Sequence, residues 1–145
     1  MDMWQRSAAI LAVLGLALAG CGGGGGGSSS PPPFVPAKVV KIEYPPIFNG
    51  GTTFSRSANP GVTFFHLTIT VADLHVNNPN QVSASIGGVP ITVQGAGGSA
   101  HNVDCQVWSP GMPDGTYPVI VTEHIGGILY EAEQTNPPLT ITFAP

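Results

Sequence analysis

The stretch Val62–Val71, VTFFHLTITV, alternates strictly: Phe65, Leu67, Ile69 and Val71 fall on one side of an extended chain, and His66, Thr68 and Thr70 on the other. Successive side chains of a strand point to opposite faces, so this pattern predicts a half-buried β-strand. A second segment, QVSASIGGVPITV over residues 81–93, repeats the pattern in two halves. Val82, Ala84 and Ile86 form one inward row and Val89, Ile91 and Val93 another, with Gly87 and Gly88 supplying the positive backbone angles of a tight hairpin.

Outward from these two segments the pattern continues. Val103, Cys105 and Val107 share a face, as do Tyr117, Val119 and Val121, and then Leu139, Ile141 and Phe143. Turn signals separate the rows at residues 72–80, 95–101, 110–115, 126–127 and 136–138. On the upstream side Val40, Ile42 and Tyr44 are expected on one face of a first strand, with Lys41 and Glu43 on the other, and Pro45–Pro46 ending it. Residues 45–60 carry two turn signals around a short edge strand and are the least legible part of the chain. Residues 95–100 read as a flexible loop. Seven or more short alternating strands point to an all-β fold, a two-sheet sandwich spanning residues 37–145.

The first 36 residues have a different composition. Arg6 precedes an apolar run, Ser7–Leu18, that is too short to cross a bilayer core of about 30 Å and reads as a secretory signal peptide over residues 1–20. Gly22–Gly27, Ser28–Ser30 and Pro31–Pro33 then form a low-complexity tether. Fully stretched, residues 22–36 would reach on the order of 50 Å, which holds the domain near its attachment point without pressing it there.

Two stretches resemble known families. Leu18–Cys21, LAGC, resembles the lipobox of bacterial lipoproteins. That resemblance implies that Cys21 is lipidated and becomes the acylated N-terminus, tying the protein to a membrane of the cell envelope; Gly22 implies outer-membrane sorting in a diderm. The runs SIGGVPITV (85–93) and NVDCQVWSPGMPDGTYPVIVTEHIGG (102–127) are similar to the second half of the TIG, or IPT, immunoglobulin-like domain. The second resemblance implies a non-catalytic binding or spacer module, with a protein or glycan of the envelope as its partner.

Composition narrows the function further. The net charge is −4, and only Lys38, Lys41 and Arg56 are strong cations beyond residue 20. No row of phosphates could be neutralised, so nucleic acid is excluded as a partner. With Cys21 committed to lipid, Cys105 has no intrachain disulfide partner and reads as a buried core thiol. Trp108 is expected to close an edge of the sandwich. Ser99, His101 and Asp104 hold the residue types of a nucleophilic triad but crowd one loop and lack a nucleophile elbow; Glu131 and Glu133 read as an exposed edge. If strands run alternately up and down, His75, His101 and His124 gather at one tip with Asp73 and Asp104 nearby. Imidazole and carboxylate suit zinc, copper or nickel, so this tip is the candidate metal or small-ligand site.

Overall fold

The computed structural model describes residues 33–99 and 101–145. The expected signal peptide, Cys21 and residues 22–32 lie outside the described residues. Nine strands follow one another: β1 (Lys38–Glu43), β2 (Thr53–Ser55), β3 (Phe64–Ala72), β4 (Val82–Ile86), β5 (Val89–Gly97), β6 (Asn102–Trp108), β7 (Gly115–Ile125), β8 (Ile128–Glu131) and β9 (Thr140–Ala144). The described residues contain no α-helix; three short 3-10 turns, Pro46–Phe48, Pro79–Gln81 and Ser109–Gly111, punctuate the strands. The fold is all-β, as the alternation requires.

The strands form one path in the order β1-β3-β6-β5-β4-β7-β9-β2, with β8 added beside β7. Every pairing is antiparallel except that of β2 with β9. The path does not lie flat. Residues Val89–Ile91 of β5 pair with β4, whereas Thr92–Gly97 pair with β6, with a register shift between Val93 and Gly95. A bulge of this kind bends a strand and lets it pass from one layer to the next. The result is a mixed sheet curled into a half-barrel, sandwich-like in that its two halves face each other.

The inward rows fill the space between those halves. Phe65, Leu67, Ile69 and Val71 of β3 and Val103, Cys105 and Val107 of β6 are buried, opposite Ala84 and Ile86 of β4, Val119 and Val121 of β7, and Ile141 and Phe143 of β9. The two ends of the path meet across this core: the Phe54 ring of β2 stacks on Phe65 of β3 with centroids 5.0 Å apart. Polar ties hold the seam. Val39 N–H donates to the Glu133 carbonyl (2.9 Å) and Glu133 N–H to the Ala37 carbonyl (2.7 Å), while the Tyr44 hydroxyl donates to the Thr140 carbonyl (2.7 Å).

Three expectations need correction. In β1 the core residues are Val39 and Ile42, and Val40 is exposed. Val39 pairs with Val71 and Lys41 with Thr70, so Val40 is an extra residue in a bulge and the parity changes there. Strict alternation read from Ile42 backwards therefore selects the wrong valine. Residues 95–97 are not a loop but the end of β5. There Gly97 has φ +99° and a Cβ would sit 2.7 Å from the Asn77 Cα, so backbone contact replaces side-chain packing. Trp108 is more than half exposed and lies against Gly111 at the end of β6, a strand paired on both sides, so it closes no edge of the sandwich. In residues 45–60, Phe48 is buried and β2 is the expected short edge strand.

The bulge yields a direct test. Val39→Ala should destabilise the fold by about 2 kcal/mol, the loss of two buried methyl groups plus residual cavity. Val40→Ala should stay within about 0.5 kcal/mol. Urea unfolding of the two variants checks the order; equal losses would restore the unbulged register.

Candidate functional site

Chemistry-bearing side chains concentrate at the end of the sandwich where β3 stops and the β7–β8 hairpin turns. Tyr117, Val119 and Val121 form an inward row in β7, and the same parity carries Glu123 into the interior, where it is fully buried. A buried carboxylate requires paired donors. The chain leaving β3 supplies them. Asp73 takes a left-handed conformation (φ 55°) that turns the backbone, and His75 follows. Its N–H donates to Glu123 Oε1 at 2.6 Å and its Nδ1 lies 3.0 Å from Oε2, so one residue serves both carboxylate oxygens. On the imidazole, Phe34 stacks at 4.7 Å with an interplanar angle of 20°, and its ring also meets Tyr130 of β8 at 4.8 Å. Phe34 falls in the segment expected to be tether, yet it packs on the domain.

His124 is the next residue of β7 after Glu123 and so faces the other way. Its Nε2 lies 3.1 Å from Ser83 Oγ on the outer surface of β4 and β7. Ser83 also lines a shallow depression of about 150 Å³ with Ser85, Pro90, Ile120 and Thr122. This serine–histidine pair has no hydrogen bond to His124 Nδ1 among the described residues. A nucleophile needs a base that a further group orients, and the outer pair offers instead a hydroxyl and an imidazole at a solvent-facing hollow.

The expected metal tip does not assemble. His75 is turned inward onto Glu123 and His124 outward onto Ser83, on opposite faces of one sheet. His101 sits in the β5–β6 turn with φ 51°, where its carbonyl accepts the Val71 N–H at 2.9 Å. Asp104 lies on the outer face of β6, accepting a hydrogen bond from Thr68 Oγ1 at 2.8 Å, and Asp73 belongs to the turn before His75. Among the described residues no group of three or more His, Cys, Asp or Glu side chains is placed to hold a metal ion. Placing three turns at one end of a sandwich does not make their side chains converge, because the faces alternate within a single residue step. The Ser99, His101 and Asp104 grouping fails for the same reason, and Glu131 and Glu133 are exposed.

Cys105 is fully buried in the β6 inward row. Burial pushes its thiol up to about 12, and the neighbouring Asp104 carboxylate adds to the rise. It is an inert core thiol. Glu123 is the functional-site residue that sequence reasoning passed over, although continuing the inward row of β7 by one step beyond Val121 would have reached it. Comparison with protein-family models, curated proteins and solved structures finds no match to this chain.

Removing the His75 ring leaves Glu123 buried with a single donor. His75→Ala should therefore destabilise the fold at neutral pH by about 3 kcal/mol, and His75→Ala combined with Glu123→Leu should recover part of that loss. A double-mutant cycle in urea reads both values; additive losses would mean that the two side chains are not coupled. A second outcome concerns alkaline pH. The unfolded chain releases the Cys105 proton near the ordinary value of 9.0 and the folded chain near 12, so this contribution is complete below about pH 9 and is lost as pH rises towards 12. Burial raises the Tyr44 phenol as well, so Tyr44 acts in the same direction. Cys105→Ala should flatten the alkaline decline by at most about 1.4 kcal/mol per pH unit; identical pH profiles for the variant and the parent would contradict it.

Proposed function

We propose that this chain is a lipid-anchored protein of the bacterial cell envelope, presenting a non-catalytic immunoglobulin-like module of TIG/IPT type to a protein or glycan partner. The observation that carries this reading is the order of the chain: an apolar run ending in LAGC at Cys21, a Gly/Ser/Pro stretch, and a β unit from Pro33 to Pro145 with its own core. The Gly87–Gly88 hairpin, the buried Cys105 and the curled sheet support the choice of module. Its polar groups support a binding role over a reactive one, since Glu123, Asp104 and Asp114 are engaged in bonds that hold strands and turns together.

Attachment follows from two or three acyl chains on one residue, because a single chain holds only marginally. Cys21→Ala should move the protein from the detergent-requiring membrane fraction to the soluble fraction and abolish acyl labelling, while circular dichroism stays all-β. A variant that remains membrane-bound, or a parent protein without acyl label, would overturn the anchor. The outer membrane is the expected location in a diderm, and sucrose-gradient separation of the membranes tests it.

A further inference from the structure

Apart from Val40 in the β1 bulge, the large exposed apolar side chains among the described residues cluster at two opposite ends of the sandwich. At one end Phe64, the first residue of β3, pairs with Trp108, the last of β6. At the other, past the end of β3 at Ala72, lie Phe34 (49% exposed), Val35 (52%), Ile128 (56%) and Leu129 (65%). The length of β3 separates the ends by roughly 25 Å. The second cluster draws on two distant parts of the sequence, which the Phe34 ring joins by packing on Tyr130. Ile128 and Tyr130 are two residues apart and share a face of β8, about 7 Å from each other, while Leu129 projects from the opposite face of the same hairpin.

The seat of Phe34 on His75 and Tyr130 also fixes where the chain enters the domain. Residues 22–33 join this point to Cys21, and even fully extended they span only on the order of 40 Å. On the lipid-anchor reading, on which this inference rests, the bilayer is thus the one apolar phase held within reach of these four side chains. We propose that this end is a bilayer-docking surface, in which Phe34, Val35, Ile128 and Leu129 enter the interface of the membrane that holds the Cys21 lipid, leaving Phe64 and Trp108 pointing away from it. Few apolar groups bind a bilayer weakly in free solution, but a short tether raises their effective concentration at the surface enough to populate the docked state. Charge does not draw this end to anionic lipid: Lys38 is offset by Asp73, Glu131 and Glu133. The fitting surface is therefore a zwitterionic bilayer, and the attraction is independent of salt.

Trp108 is the sole tryptophan after Trp4, so one reporter can be read at each end. Mature protein is purified from cells expressing the Trp4→Phe gene, so that any uncleaved signal peptide adds no second tryptophan, and is reconstituted in phosphatidylcholine vesicles carrying brominated acyl chains. Trp108 fluorescence should be quenched little. With Trp108→Phe and Leu129→Trp, quenching should be at least threefold stronger, and adding Val35→Ser and Ile128→Ser should remove most of it. Should Leu129→Trp fail to fold, Ile128→Trp takes its place and Leu129→Ser replaces Ile128→Ser in the control. Equal quenching at both ends, or stronger quenching of Trp108, would overturn the proposal. The mass of the purified protein reports acylation separately. If Cys21 is not acylated, coupling it to maleimide lipid restores the tether, since buried Cys105 does not compete, and the same comparison then tests docking alone.

Discussion

The structure depends on one strand serving two layers. A sheet with an apolar face must cover it, and this chain does so by bending a single hydrogen-bonded path over itself at β5. The first part of β5 belongs with β4 and the second with β6, and the shift between Val93 and Gly95 is where the direction changes. Small residues are needed beyond the shift, because the Asp104 side chain crosses above Gly95 and the Asn77 backbone presses on Gly97. Once the bend is made, Phe54 and Phe65 come together from opposite ends of the path, and the aromatic group of Phe48, Phe54, Phe65 and Phe143 closes the core.

Closure also decides what happens to polar groups at the far end. The row Val119, Val121, Glu123 runs inward without interruption, so a carboxylate arrives where a valine would have packed. The fold accommodates it by turning the chain after β3 back over the opening, so that His75 satisfies both oxygens. Replacing such a pair by apolar residues commonly costs little stability, so what it supplies here is position. Here it holds the imidazole on which Phe34 rests, and it thereby sets the point at which the chain enters the domain.

These features give the molecule a polarity. One end carries the chain entry, the His75–Glu123 pair and an apolar fringe; the other carries the Phe64–Trp108 pair. In the docking proposal the first end faces the membrane that holds the anchor. The outer surface of β3 and β6 between them carries short polar pairs, Thr68 with Asp104 and Thr70 with Asn102. Few charges interrupt it, in keeping with a chain that has four Lys and Arg residues in all.

The inward rows of β3, β4, β6, β7 and β9 were legible in the sequence because burial on one face imposes a period of two on a strand, whatever its partners are. The Gly87–Gly88 hairpin was legible because positive backbone angles are nearly free only for glycine. Val39 was not, since a bulge changes the parity and is visible only in the pairing with β3. Parallel pairing of β2 with β9 joins residues some ninety positions apart and has no local signature. The histidine site was misjudged for a related reason: sequence placed the turns at one end, but the face on which each ring emerges depends on register. Sequence alone determined the all-β class, the rows that form the core and the composition of the leading segment, all consequences of local pattern. Only the tertiary structure decided that Glu123 would be buried, that His75 would meet it, and that Phe34 would pack beside them, because each requires distant segments to be brought within hydrogen-bonding or van der Waals distance.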